Sequence, residues 1–281
     1  MTLADPPQDN PDRELGVGAP VPPVVAVLGL GEAGSEVATD LAAAGATVYG
    51  FDPEVPAPAA VHGRDSDAEA ASGAQVVLAL TSAHEALETL QLALPGVGAG
   101  GIYADANTGP AGLKASLAQV AAAAGVAFCD VALMAPVPGL GLRTPMLVSG
   151  PAADEYARII GSLGAAVTVL PGPPGTAATR KLVRSVFYKG LAAAVTEALR
   201  AGQAAGCEEW LRADIGTVLQ DATAATVDRL EQGSIRHARR RIDEMMAAGD
   251  LLDELGIPPR VARASQGWLA QLLAETEAER G

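Results

Sequence analysis

One stretch of the sequence, residues 24–52, constrains the fold more strongly than any other. It begins with the apolar run Val24–Leu28, passes through a glycine-rich turn and an alanine-rich segment, and ends with a second apolar run and Asp52. β-Branched apolar runs are typical of buried parallel strands. The turn has the spacing G-x-G-x-x-G, which permits a tight bend, a close approach of a diphosphate to the backbone, and close packing of the next helix on the strand. The turn residues, all predicted to contact a dinucleotide, are Gly29, Leu30, Gly31, Glu32, Ala33 and Gly34.

An acid follows this turn at the distance that a dinucleotide site needs. Asp52 lies 18 residues beyond Gly34, after the second apolar run. A carboxylate at that position can accept hydrogen bonds from ribose hydroxyls, and the free N–H groups of the first helix can bind phosphates. The alternative is a glycine-rich turn in an unrelated α/β protein. The strand, the helix and the acid around the turn favour the dinucleotide site.

Strand-like and helix-like segments alternate as far as residue 170. Further strands are predicted at 75–80, 101–105, 126–131, 146–149 and 166–170, and helices at 65–72, 83–92, 111–124 and 152–162. This alternation predicts an α/β fold with a Rossmann-type, doubly wound and mostly parallel sheet. Ligands of such sheets lie beyond the carboxyl ends of the strands. The residues that follow two of these strands are therefore predicted cofactor contacts: Thr81, Ser82, Asn107 and Thr108.

The prolines and glycines of residues 171–175 predict a domain boundary, because they cannot continue a strand or a helix. Beyond them the chain reads as one long linking helix to about Ala205, followed by shorter helices near 208–221, 222–231, 234–247, 249–255, 258–265 and 266–278. We therefore predict a dinucleotide-binding domain at 24–172 and an all-α substrate and dimerisation domain at 173–281. The proline-rich residues 1–23 are predicted to be a mobile tail.

Composition excludes several classes of partner. The formal net charge of −14 argues against nucleic acid and anionic membranes as partners. Cys129 and Cys207 form neither a disulfide framework nor a metal set, and the three histidines lack metal-ligand spacing, so no metal is expected. No apolar stretch approaches the ~20 residues that span a bilayer. Without a visible secretory signal, a cytoplasmic location is expected.

The long helix carries the first candidate for catalysis. Lys181, Ser185 and Lys189 follow each other at intervals of four residues and therefore share one helix face, with Arg184 close by. A lysine there could donate to a substrate oxygen, and a hydroxyl could orient the same substrate. The alternative is a solvated basic face. A second candidate is the glycine- and proline-rich loop 137–141, whose alternative is an ordinary surface turn.

Four motifs, in order, resemble the β-hydroxyacid dehydrogenases, the family of 3-hydroxyisobutyrate and 6-phosphogluconate dehydrogenases. They are the glycine-rich turn, Asp105-Ala106-Asn107-Thr108, Pro136-Val137-Pro138-Gly139-Leu140 within the segment 130–150, and Lys181-Leu182-Val183-Arg184-Ser185. The resemblance covers about residues 24–205. The remainder, with Arg239-Arg240-Arg241 and Glu244-Met245, resembles an uncharacterised branch of 6-phosphogluconate-dehydrogenase-like oxidoreductases.

The resemblance implies a role for each matching residue. Lys181 takes the place of the catalytic lysine, the general acid and base at the reacting oxygen, and Ser185 that of an asparagine that positions the substrate. Pro138 and Gly139 lie in the substrate-binding segment, where Pro138 replaces a serine that commonly holds the substrate carboxylate. Lys189 would then share the binding of anions.

The resemblance also implies an activity: NAD(P)-dependent transfer of hydride between nicotinamide and the hydroxyl-bearing carbon of a small, acidic substrate. NAD is favoured over NADP, because Asp52 would repel a 2′-phosphate and the nearest arginine, Arg64, is distant in sequence. One alternative is imine reduction, against which Lys181 counts, because imine-reducing relatives often carry Asp or Tyr there. The other is a dinucleotide-binding sensor without catalysis, which the changes at Pro138, Arg184 and Ser185 would suit.

A basic run at residues 236–241 stands out in this acidic chain. On a helix, His237, Arg240 and Arg241 fall at i, i+3 and i+4, so they are predicted to form a clamp for a carboxylate or phosphate of the substrate, with Arg239 pointing away. The alternative is a solvated face paired with nearby acids. We also expect a homodimer formed through the C-terminal helices, because so short a helical segment encloses its own core poorly.

Overall fold

The computed structural model describes residues 21–280, and the chain divides into two compact units after Leu182. We call the part up to Leu182 the N-terminal unit and the part from Val183 the C-terminal unit. Of the tail predicted at residues 1–23, residues 1–20 lie outside the described residues.

One eight-stranded sheet organises the N-terminal unit. Its strands are β1 (Val24–Leu28), β2 (Thr47–Phe51), β3 (His62–Gly63), β4 (Val76–Ala79), β5 (Ile102–Asp105), β6 (Ala127–Leu133), β7 (Met146–Ser149) and β8 (Val167–Val169). Five helices alternate with them: α1 (Glu32–Ala43), α2 (Asp67–Ala71), α3 (Ala86–Ala93), α4 (Ala111–Ala123) and α5 (Ala153–Ser162). The order across the sheet is β3-β2-β1-β4-β5-β6-β7-β8.

The core lies on both faces of this sheet. Along β1, Val25 and Val27 belong to one buried cluster, which includes residues of α1 and α5, whereas Ala26 and Leu28 belong to a second, which includes residues of α2, α3 and α4. Successive side chains of a strand point to opposite faces. The central strand is therefore buried on both sides by helices, as the unbroken apolar run predicted.

The predicted doubly wound, mostly parallel α/β fold is confirmed. Every neighbouring strand pair is parallel except β6 and β7, which are antiparallel. β7 pairs in this way because it follows β6 through a loop without a crossover helix. The short strand β3 was not predicted; its two residues pair with Tyr49 and Gly50 of β2.

In the described part of the C-terminal unit, residues 183–280, the regular secondary structure is all helical, as predicted. The helices are the greater part of α6 (Thr176–Ala204), then α7 (Glu208–Gln220), α8 (Ala224–Arg236), α9 (Ala238–Glu254) and α10 (Arg260–Ala278). The segments predicted separately at 234–247 and 249–255 belong largely to α9, and those at 258–265 and 266–278 to α10. Gly249 does not interrupt α9, because glycine lowers helix propensity without removing a backbone donor, and it is buried with Pro259 and Arg263 close by.

The division between the units lies inside α6, whereas the sequence predicted a boundary at residue 172. The first turn of α6 stays with the N-terminal unit, because its N–H groups bond to Asp130 and Ser149 of the sheet. Within residues 21–280, no helix has the length and apolar character that crossing a membrane requires.

Candidate active site

The glycine-rich turn has the geometry that its spacing predicts. Gly29 adopts a φ of +88°, and a side chain there would collide with the backbone of Leu80. A side chain at Gly34 would collide with the carbonyl of Gly29. A Cβ at Gly31, in contrast, would meet nothing within 4 Å, and α1 begins at the next residue without a side-chain cap. The turn is therefore closed against the sheet at two glycines and open at the third, where α1 begins without a side-chain cap among the described residues.

Asp52 lies directly beside this turn. Its Oδ2 accepts a hydrogen bond from Leu30 N at 2.7 Å, and its Oδ1 accepts from Glu54 N and Val55 N at 2.8 and 2.9 Å. Partial burial raises the pKa of this carboxyl, but the three backbone donors outweigh it and hold the pKa below its ordinary value. Asp52 is therefore an anion at neutral pH.

The residues after β4 and β5 meet at the carboxyl edge of the sheet. Asn107 Nδ2 donates to Thr81 Oγ1 at 3.2 Å and to Asp105 Oδ1 at 2.7 Å. Asn107 Oδ1 is buried and accepts no hydrogen bond from the described residues. Ser82 instead donates to Glu85 Oε2 at the start of α3, and Thr108 is exposed. The structure thus brings Thr81 and Asn107 into contact and leaves a buried acceptor at this edge.

Next to Asn107 lies a fully buried ionic network. Asp105 and Asp130 are neighbours in register on β5 and β6. The amine of Lys114, from α4, donates to Asp105 Oδ2 at 2.7 Å and to Asp105 O at 2.8 Å, and lies 3.4 Å from Asp130 Oδ1. No side chain of the three is more than 1% exposed. With two carboxylates and one ammonium, the network carries one excess negative charge when all three groups are ionised.

Asp130 also anchors the first turn of α6. Its Oδ2 accepts from Gly175 N at 2.9 Å and from Ala178 N at 3.1 Å. Ser149 Oγ donates to the same oxygen at 3.1 Å and accepts from Ala177 N at 3.1 Å. Helix N-termini leave such N–H groups without intrahelical partners. A strand carboxylate and a strand hydroxyl therefore cap the long helix.

Lys181 follows one turn later and belongs to the N-terminal unit. Burial lowers the pKa of its amine, the charge of Lys114 lowers it further, and Asp130 opposes both effects. The pKa of Lys181 is therefore below its ordinary value, and the neutral amine forms at a lower pH than in an exposed lysine.

The loop that carries Pro138 and Gly139 lies along α1. Gly139 N donates to Glu36 Oε1 and Leu142 N donates to Asp40 Oδ2, both at 2.9 Å. Pro138 is exposed. The acids of α1 therefore hold this loop in place, and its predicted contact with the substrate stays a prediction.

The other predicted site residues lie in the C-terminal unit, where Ser185 and Lys189 follow along α6. A basic cavity of about 1070 Å³ is lined there by residues of α8, α9 and α10, among them Arg236, His237, Arg239, Arg240 and Arg280. His237 and Arg240 both line this cavity, and Arg240 Nε lies 3.4 Å from Glu244 Oε1, so their predicted role as a clamp stays a prediction. Arg239, expected to point away, also lines the cavity and pairs with Glu277 at 2.8 Å. Arg241 NH1 instead donates to Ser234 Oγ at 2.9 Å.

The two free cysteines differ in burial, since Cys207, unlike Cys129, is only partly buried. Cys129 is fully buried, which raises the pKa of its thiol above the ordinary value, with a further contribution from Asp130. Among the described residues, no group of three or more His, Cys, Asp or Glu side chains could hold a metal ion.

Sequence reasoning missed Lys114, Asp130 and Ser149 as members of this site. One signal was present in the sequence. Lys114, Leu117 and Ala121 fall at i, i+3 and i+7 of the predicted helix 111–124, so a lysine occupies its apolar stripe. A charge in such a stripe needs a buried partner.

Two known families match the chain, one in each of its two units. The family described as the NAD-binding domain of 6-phosphogluconate dehydrogenase matches residues 24–170. A second family, a domain of unknown function designated DUF1932, matches residues 203–272. No curated protein matches the chain.

Several solved structures are similar along most of the chain. A conserved hypothetical protein from Sinorhizobium meliloti 1021 is 27% identical, with a TM-score of 0.58 over 89% of this chain and 88% of that one. A conserved protein described as structurally similar to 3-hydroxyacid dehydrogenases is 25% identical, with a TM-score of 0.56 over 89% and 97%. An imine reductase from Myxococcus stipitatus in complex with NADP+ is 18% identical, with a TM-score of 0.77 over 90% and 95%. At that identity the last likeness concerns the fold alone.

Proposed function

We propose, since this chain belongs to the family of the NAD-binding domain of 6-phosphogluconate dehydrogenase, that it transfers hydride between nicotinamide and the hydroxyl-bearing carbon of a small, acidic substrate. The observation that carries this proposal is the position of Lys181 on the anchored start of α6, beside the buried network at the sheet. A lysine whose amine loses its proton more readily than an exposed one suits proton transfer at a reacting oxygen.

The N-terminal unit offers a fitting place for each part of the cofactor. The open turn at Gly31 and the first N–H groups of α1 would hold the diphosphate, and Asp52 would accept from the adenosine ribose. The unpaired, buried Asn107 Oδ1 would accept a hydrogen bond from an amide such as the nicotinamide carboxamide. When bound, the nicotinamide supplies the hydride acceptor or donor.

Lys181 would perform the proton chemistry. During oxidation of a hydroxyl, its neutral amine accepts the hydroxyl proton while the carbon gives up hydride. During reduction of the carbonyl, its ammonium returns that proton to the oxygen. The charge that develops on the oxygen is stabilised by the same group.

A substrate screen with reduced-nicotinamide absorbance as the signal tests the proposal. We expect a 2- or 3-hydroxy acid or a sugar acid to reduce the bound cofactor. Reduction of cyclic imines, with no turnover of any hydroxy acid, would replace this function with imine reduction. The structurally similar protein from Myxococcus stipitatus is an imine reductase. Tight cofactor binding without a single turnover on either class would indicate a sensor.

We also propose that the protein prefers NAD over NADP. Asp52→Asn removes the negative charge that would face a 2′-phosphate, so the ratio of NADPH to NADH affinity should rise about tenfold, equivalent to ~1.4 kcal/mol. Fluorescence titration with both cofactors measures this ratio. Glu54→Gln is the matched control, because it removes an exposed neighbouring charge and should change the ratio less than about twofold. Tighter binding of NADPH than NADH by the unmodified protein would contradict the preference.

That Arg240 binds the acidic group of the substrate remains a proposal from the sequence. Arg240→Ala should raise KM about tenfold and change kcat little, because such a contact is made equally in the ground and transition states. Arg241→Ala is the matched comparison, since its guanidinium bonds to Ser234 and does not line the cavity. Equal KM values for Arg240→Ala and the unmodified enzyme would exclude this role.

Finally, we propose a homodimer formed through the C-terminal unit. Its helices expose large apolar side chains to an extent unusual for a monomer: Val183 66%, Val186 77%, Phe187 60%, Trp210 64% and Trp268 64%. A second copy would cover them. Light scattering at micromolar protein should give twice the chain mass, and the mass of one chain would contradict the proposal.

A further inference from the structure

The start of α6 is held by side chains that come from distant strands. Asp130 on β6 accepts from Gly175 N and Ala178 N, and Ser149 on β7 accepts from Ala177 N. All three bonded residues are buried. One carboxylate and one hydroxyl therefore fix the start of α6 to the sheet.

Lys181 lies on the anchored face of this helix. It follows Ala177 by four residues and Ala178 by three, and residues at these spacings lie above one another on one helix face. The position of the Lys181 side chain therefore depends on the two N–H groups that Asp130 and Ser149 hold.

Lys114 is fixed beside the same turn. Its amine has oxygen partners on Asp105 and Asp130. α4, which carries Lys114, and the start of α6 approach each other closely, since a Cβ at Gly175 would lie 2.9 Å from the Cβ and the carbonyl oxygen of Ala111. The charge of Lys114 is thus held at the base of α6 without freedom to move away.

We propose that Asp130 and Lys114 are positioning residues for Lys181: Asp130 sets the place of the lysine through the first turn of α6, and the two opposite charges act on its amine. This inference deepens the proposed function and rests on it for the catalytic role of Lys181. Neither residue needs to touch the substrate.

The two charges should act on Lys181 in opposite directions. Asp130, on β6, favours the ammonium form, and Lys114, on α4, disfavours it. Asp105, on β5, accepts a hydrogen bond from the amine of Lys114. On α6 itself, the guanidinium of Arg184 stacks over the ring of Tyr188 at 4.3 Å. Removing the charge of Asp130 should therefore lower the pKa of Lys181, and removing the charge of Lys114 should raise it.

The chain is well suited to a direct measurement, because it has only three lysines, Lys114, Lys181 and Lys189. Reductive methylation with ¹³C-formaldehyde labels the accessible amines, and the ¹³C NMR signal of each dimethylamine titrates with its pKa. A Lys181→Arg variant assigns the signal of Lys181, and the exposed Lys189 serves as an internal reference. The full chain is used without cofactor or substrate.

Asp130→Asn should lower the pKa of Lys181 by about one pH unit, because the nearby anion is lost. The double variant K114M/D105N removes one positive and one negative charge and leaves the cap on α6 intact, so the pKa of Lys181 should rise by a similar amount. Ser149→Ala removes a cap without changing charge, so it should lower thermal stability and shift the pKa by less than about 0.3.

An unchanged Lys181 signal in a folded Asp130→Asn protein, or shifts of the same sign in both charge variants, would overturn the proposal. If Asp130→Asn does not fold, the double variant K114M/D105N provides the test. A higher pKa of Lys181 in that variant supports the proposal, and an unchanged pKa overturns it. A protein that turns over no hydroxy acid but shows both opposite shifts would refute the proposed function and leave the positioning of Lys181 in place.

Discussion

Replacing Lys181 with methionine should lower kcat for hydroxy-acid oxidation about 10³-fold, while the affinity for NAD stays within about twofold. Positioned general acids and bases contribute roughly 10²–10⁴-fold to rate. Methionine keeps an unbranched chain of similar length on this half-buried position but can neither accept nor donate the proton. Steady-state kinetics and fluorescence titration of the cofactor measure the two effects separately.

Arg180→Met is the control for this experiment. It removes an exposed cation from the neighbouring position of α6 and should leave kcat within about twofold. A Lys181→Met protein that retains kcat would show that proton transfer occurs elsewhere. A loss of NAD binding in parallel with kcat would indicate that Lys181 supports the fold or the cofactor rather than the chemistry.

The pH dependence of kcat follows from the state of the Lys181 amine. Oxidation needs the neutral amine, so kcat in that direction should rise as pH increases through the pKa of Lys181. Burial and Lys114 hold this pKa below its ordinary value, against the opposing effect of Asp130. Reduction needs the ammonium, so kcat in the reverse direction should fall through the same pKa. This rise in oxidation rate should be absent from the Lys181→Met variant.

Lys114→Met should destabilise the fold by about 3–5 kcal/mol, the usual consequence of removing one partner from a buried ion pair. Two carboxylates would remain side by side on β5 and β6 without a cation between them. Urea denaturation measures the free energy of unfolding. Lys189→Met, at an exposed position of α6, should change it by less than about 0.5 kcal/mol.

A companion variant separates charge from packing at this site. In K114M/D105N only Asp130 keeps its charge, and it retains its donors from α6 and Ser149. We expect this protein to regain part of the lost stability. A Lys114→Met protein as stable as the unmodified one would mean that the network contributes nothing to folding.

Local sequence was sufficient to predict the sheet and the cofactor turn. The roles of Gly29, Gly31 and Gly34 follow from spacing alone, since the glycine conformation and the helix start depend on neighbours within a few residues. Asn107 and Thr81 were predicted because parallel strands end at a common edge, and this edge brings the two into contact.

The buried network could not be predicted in the same way. Asp105, Lys114 and Asp130 come together only through the pairing of β5 with β6 and the packing of α4, and nothing within a short window of sequence specifies that pairing. The partners of Arg239 and Arg241 were likewise not predictable, because Glu277 and Ser234 lie on other helices. Helical spacing predicts the helix face on which a residue lies, but it does not predict which residue of another helix it contacts.

The role of Lys181 in hydride transfer is tested most directly by a single turnover, followed by reduced-nicotinamide absorbance, with enzyme and NAD in excess over a hydroxy acid from the screen. The unmodified protein should form one equivalent of reduced cofactor per substrate, and Lys181→Met, with NAD bound equally well, should form it about 10³-fold more slowly. Formation at the same rate in both proteins, or none in the unmodified protein with any hydroxy acid, would contradict this prediction.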